Sequence, residues 1–233
     1  MDSNRVQAYK RTGTGLALIL SPLTFVIGFG IHPLAGQSAA SAVQTVIDNQ
    51  GRWAVAHIFL LFAAALLIPA SIGVMHRLGG TRPWFGVIGA ALVGLGAVFL
   101  GSLIGAEAFA TSALATVPVD QRAGLLPGIQ AIFDGEGAMG ATIIAFAMLL
   151  GLLILGIGLV LSGPVSRWIG ALMIVAALVM TVGALESERI AAVGAVPLLL
   201  SFGYLGWETL RMPTIGPQGV SLDTGRDIRP VRA

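Results

Sequence analysis

The sequence predicts an all-α integral membrane protein: a six-span helical bundle with two short amphipathic helices at its outer end. Three observations predict it. Of 233 residues, 56% are hydrophobic and 10% charged, where a soluble domain carries about a quarter charged. The mean hydropathy is +0.90. Six apolar stretches are each long enough to cross a hydrocarbon layer about 30 Å thick.

Totals also exclude whole classes of chemistry. With no cysteine, disulfides, thiolate metal sites, iron–sulfur clusters and cysteine nucleophiles are ruled out. The net charge of +2 is small and the basic residues lie at helix ends, so nucleic acid is not an expected partner. A single Lys (Lys10) among many Arg, in a chain rich in Ala and Gly, points to a GC-rich bacterial genome and thus to an inner membrane.

Residues 1–13 form a polar amino-terminal segment carrying Arg5, Lys10 and Arg11. The first span covers 14–31, with Pro22 near its middle. Its apolar stretch is too long for the core of a signal peptide, and the cleavage-like Ala40-Ser41-Ala42 lies too far beyond it, so a retained helix is expected. Residues 33–52 hold a short amphipathic helix with Val43, Val46 and Ile47 on one side. The second span, 53–75, contains Pro69, and a basic turn with Arg77 and Arg82 follows.

The third span, 84–110, carries Gly86, Ala90, Gly94, Ala97, Gly101 and Gly105 at steps of four and three, a single helical face of small residues. Such a face lets two backbones approach closely in lipid, where burying apolar surface gains nothing. This span is therefore expected at the centre of the bundle, within a core of spans two to five. A long polar connection, 111–135, is broken by Pro118 and Pro127. Spans four (137–161), five (168–185) and six (190–207, with Pro197) complete a membrane domain of 14–207. The tail, 208–233, is polar, and Glu208 and Arg211 are spaced to form a helix-end ion pair.

Ten of the thirteen basic residues fall in the amino-terminal segment, the 76–83 and 162–167 turns and the tail. By the positive-inside rule both termini are cytoplasmic. Trp84, Trp168 and Trp207 at the inner ends, with Trp53 at the outer, fit aromatic belts.

The two long outer connections resemble one another. Residues 43–51 (VQTVIDNQG) align with 129–137 (IQAIFDGEG), predicting an internal repeat of two-span units related by an axis along the membrane normal. Gln44 with Asp48, and Gln130 with Asp134, are spaced to hydrogen-bond on a helix. Together with Glu136 they are the polar residues expected on the outer lids. Their simplest role is structural, and a pair of lids over a vestibule is compatible with it.

His32, His57 and Glu107 are the candidate ligand residues, expected to converge in the outer third of the bundle. Two imidazoles and a carboxylate suit zinc or iron. His32 and His57 are alternatively axial ligands of a b-type haem. The plainest reading has no cofactor, the histidines making interfacial hydrogen bonds and Glu107 reaching headgroups or water; a buried Glu107, partnered by His57 or Arg52, is instead a functional candidate. No H-E-x-x-H spacing occurs, no lysine lies in a span, and no Walker, dinucleotide or Ser-nucleophile motif is present. The absence of charge at the midplane weighs against a proton-coupled transporter or ion channel.

Three functions follow. The leading one is a non-enzymatic membrane protein that, besides its surrounding lipids, binds or helps move an apolar or lipid-like small molecule through a cavity under the lids. The second is an accessory subunit docking onto a partner, or a homo-oligomer, through small-residue faces such as Gly151 and Gly158. The third is a metal- or haem-dependent redox protein using His32, His57 and Glu107.

Overall fold

A computed structural model describes residues 3–33, 39–134, 136–186 and 188–212. Every element among them is helical: α1 (Ser3–Ile31), α2 (Ala39–Leu78), α3 (Pro83–Ala115), α4 (Val119–Asp134), α5 (Glu136–Val160), α6 (Pro164–Glu186) and α7 (Glu188–Arg211). All but α4 contain a stretch long and apolar enough to cross a membrane. The protein is thus a multi-pass helical membrane bundle.

The six spanning helices close into a ring. Each packs against its neighbours in the order α1, α2, α3, α5, α6, α7, and α7 returns to α1. An even number of spans brings Ser3 and Arg211 to one end, here the termini end. The other, the histidine end, carries α4 and the first part of α2. Side chains fill the middle of the ring: Phe25 from α1, Leu67 from α2, Leu152 and Leu155 from α5, Met173 from α6, and Leu198 and Phe202 from α7 are all buried.

That arrangement corrects two expectations. The core is not confined to spans two to five, because α1 and α7 contribute some of its largest side chains. Nor is α3 central. Only 28% of its most apolar window is buried, the smallest share of the six, and its spanning neighbours are α2 and α5. Small residues mark close approach, but they do so equally well at a rim position.

The close approaches themselves lie on two faces of α3. Gly86, on the expected stripe, abuts α2, where an added methyl carbon would sit 3.0 Å from the Met75 carbonyl oxygen. The tightest contact faces α5 and uses Gly89 and Gly96, which are off that stripe. A methyl carbon on Gly151 would lie 2.6 Å from the Gly89 carbonyl oxygen, and one on Gly96 would collide with the backbone of Met148. Gly94 and Gly105 have nothing within 4 Å, and Gly101 only Ala64 at 3.8 Å. Similar pairs join Gly156 to Gly170 across α5 and α6, and Gly15 to Gly206 where the ring closes. Dispersion between backbones, rather than burial from water, holds these pairs together.

Gly151 and Gly158 therefore present no free docking face, since Gly158 is closed off by Phe85 and Leu78. Two buried hydroxyls also bridge helices. Ser21 Oγ donates to the Ala63 carbonyl at 2.9 Å, and Ser201 Oγ to that of Ile169 at 3.0 Å. At the termini end Thr81 meets Ser162 between adjacent turns, and Arg77 Nη1 donates to Glu208 Oε2 at 2.7 Å. Glu208 thus pairs across the ring with Arg77 rather than with Arg211, whose guanidinium lies 4.0 Å above the Trp207 ring.

The first outer helix is the start of α2, continuous with span two through a kink at Asn49 (φ −138°, ψ 33°). Val43 and Val46 are buried as the apolar pattern requires. The second is α4, largely exposed, with Arg122, Leu126 and Gln130 half-buried along one face.

Candidate functional site

Where α1 ends, the chain turns out of the helix at His32. Arg52 Nε donates to the last α1 carbonyl, that of Ile31, at 2.6 Å, answering one acceptor that a helix end leaves open. The Asn49 kink lays the first part of α2 over this junction, and Val46 packs with Trp53 and Ala115. Trp53 and His57 are four residues apart and so share a helix face.

Three rings result, each touching the other two. The centroids of Trp53 and His57 are 4.4 Å apart, and His32 lies 4.9 Å from both. All three are buried, Trp53 to 1% exposure. Its indole N–H has no hydrogen-bond partner among the described residues, an unusual state for a buried donor.

His57 has a defined orientation. Its Nδ1 is 3.0 Å from the Trp53 carbonyl oxygen; a carbonyl only accepts, so Nδ1 carries the proton. Nε2 then points at Glu107, 3.9 Å from Oε2. That separation is too long for a hydrogen bond. The Glu107 side chain is a third exposed, so the carboxylate links the buried rings to the surroundings. Thr111 Oγ1, buried, donates to the Glu107 carbonyl at 2.6 Å. Arg122 holds the Val117 and Ala115 carbonyls at 2.7 and 2.9 Å. Arg52 and Arg122 therefore answer carbonyls at helix ends, and the partner of Glu107 is His57, not Arg52.

Beside Glu107 the packing loosens. Between Val98 and Ala110 no residue of α3 is fully buried, and none of α5 is between Met139 and Ala147. In the termini-end halves of the same helices Val93, Ala97, Met148, Leu152 and Leu155 are all buried. The contact between α3 and α5 is thus tight from Gly89 to Gly96, and burial falls toward the histidine end, beneath α4, which touches both. Leu100, Ile104 and Phe146 lie in this less buried stretch and pack partly on the core.

The structure therefore brings His32, His57 and Glu107 together and adds Trp53, whose position in the sequence alone suits an aromatic belt. The signal was the spacing of Trp53 and His57. Gln44 Nε2 donates to Asp48 Oδ1 at 2.9 Å, as the spacing suggested, with both side chains exposed. Gln130 is half-buried on α4, whereas the side chains of Asp134 and Glu136 lie outside the described residues.

Two cofactor readings are constrained by this geometry. The imidazoles of His32 and His57 lie ring against ring, their centroids 4.9 Å apart, so a haem held by both requires them to part. Among the described residues, no group of three or more His, Cys, Asp or Glu side chains is placed to hold a metal ion. The trio converges without forming a chelating set. No family model matches the chain, and no curated protein or solved structure matches it.

Proposed function

We propose that this is a non-enzymatic membrane protein that binds an apolar or lipid-like small molecule between the histidine-end halves of α3 and α5, under α4. The observation that carries the reading is the change in packing along one helix pair. Backbone-to-backbone contact at Gly89 and Gly151 gives way to a stretch without a fully buried residue. In a bundle stabilised by close packing, such a less buried stretch is where an apolar molecule gains contacts that neither helix otherwise makes. His57 and Glu107 stand at its edge. The Trp53 indole N–H is a donor that a ligand bearing one acceptor would answer.

The expected topology places this site on the outer side of a bacterial inner membrane, with both termini cytoplasmic, by the distribution of basic residues. An internal duplication is in keeping with the likeness of residues 43–51 and 129–137.

A photoreactive phenylalanine analogue tests the reading. At Phe146, half-buried on α5, it is expected to capture one discrete small apolar mass from native membranes. At Phe62, 60% exposed on α2, it is expected to capture a spread of bulk lipids. Identical spreads at both positions would overturn the proposal.

A further inference from the structure

At the termini end, far from His32 and His57, Arg77, Tyr204, Trp207, Glu208, Arg211 and Met212 line an open cavity of about 440 Å³. We infer that this cavity is a second binding site, one that takes the phosphodiester headgroup of an anionic lipid. Its lining carries two guanidiniums and one carboxylate, and Arg11 adds a third guanidinium at the rim, a net positive charge that suits a phosphodiester. Glu208 does not neutralise the site fully. It occupies Nη1 of Arg77 at 2.7 Å, while Nη2 of the same guanidinium is buried with no partner among the described residues. A planar guanidinium presents its donors as a fork, so an oxygen beside Nη2 completes Arg77 without displacing Glu208.

Arg211 is held over the Trp207 ring, which orients a second guanidinium along the cavity wall. Arg11 reaches from α1 to the Met212 carbonyl and ties the rim to the neighbouring helix. The remaining wall is apolar or aromatic and half-exposed at the end of a spanning helix, where Tyr and Trp rings sit at headgroup level. A free phosphate ion would use the arginines alone; a lipid also uses Trp207, Tyr204 and Met212, and this favours the lipid.

The test is native mass spectrometry of the full chain in mild detergent with phosphatidylglycerol or phosphatidylcholine added at equal concentration. The expected result is at least fivefold higher occupancy by phosphatidylglycerol. Arg211→Gln is expected to lower that occupancy fivefold or more, and Arg82→Gln, at an exposed turn position outside the cavity, to leave it within twofold. Arg77→Lys keeps the charge and a partner for Glu208 but loses the fork, and should also lower occupancy. Melting temperatures of all variants identify any that fail to fold. Equal retention of the two lipids, or equal loss in Arg211→Gln and Arg82→Gln, would overturn the site. Full competition by inorganic phosphate at concentrations comparable to the lipid would overturn the lipid assignment.

Discussion

His57 and Glu107 face one another across α2 and α3, Nε2 to Oε2 at 3.9 Å, with the imidazole held from behind by the Trp53 carbonyl. Because Glu107 is a third exposed, the pair adds little to stability, under about 1 kcal/mol after solvent screening. Glu107→Gln is expected to leave the unfolding midpoint almost unchanged in detergent while weakening ligand retention. A large loss of stability would mean that the carboxylate serves packing rather than binding.

Trp53 has the opposite profile. Buried between two imidazoles, it should cost about 3–5 kcal/mol on truncation to Ala, the range for removing a large buried aromatic side chain. Trp53→Phe keeps a ring in the stack and removes the unanswered N–H, so it should be much milder. Chemical denaturation in mixed micelles distinguishes the two outcomes.

Gly151 and Gly105 form a matched pair of tests for the packing of α3. A methyl group on Gly151 meets backbone atoms of Gly89 and Val93 at 2.6 Å, and these cannot move aside locally. Gly151→Ala is expected to destabilise by about 1–3 kcal/mol, as overpacking does. Gly105→Ala meets nothing within 4 Å and is expected to be neutral or slightly stabilising through helix propensity.

Ring closure is tested at the termini end. A double-mutant cycle on Arg77 and Glu208, both about one-third exposed, should give a coupling of roughly 0.5–1 kcal/mol. The same cycle on Glu208 and Arg211 should give close to zero, because Arg211 engages Trp207 instead.

The absence of cysteine makes topology accessible to labelling. Single cysteines at Thr81 and Ser162, which touch one another, should share one accessibility, and a cysteine at Asp120 on α4 the other. The charge distribution predicts that a membrane-impermeant maleimide applied to intact cells reaches only the position on α4.

The spans were legible because hydropathy and length act locally, and six apolar stretches have few other destinations. The first outer helix was legible for the same reason, through the periodicity of Val43, Val46 and Ile47. The place of α3 was not. Glycine and alanine along Gly86–Gly105 say that a neighbour approaches, but not which one, and the closest contact fell to Gly89 and Gly96. Arg77 and Glu208 are separated by 131 positions; their pairing needs α7 to return beside α1 and α2, which no local pattern encodes. The convergence of His32, His57 and Glu107 was inferable from helix-end positions. The ring stack was legible only in part: the spacing of Trp53 and His57 sets both on one helix face, but no local pattern says that His32 joins them.

The central claim is that a small apolar molecule occupies the less buried stretch between α3 and α5. A native mass spectrum of the 23.9 kDa chain released from mild detergent, beside that of Ile104→Trp, a half-buried position of this stretch, tests it most directly. The account predicts one extra mass of lipid-like size on the parent protein, missing from a variant whose melting temperature shows that it remains folded. A bare parent chain, or an adduct unaffected by Ile104→Trp, would contradict it.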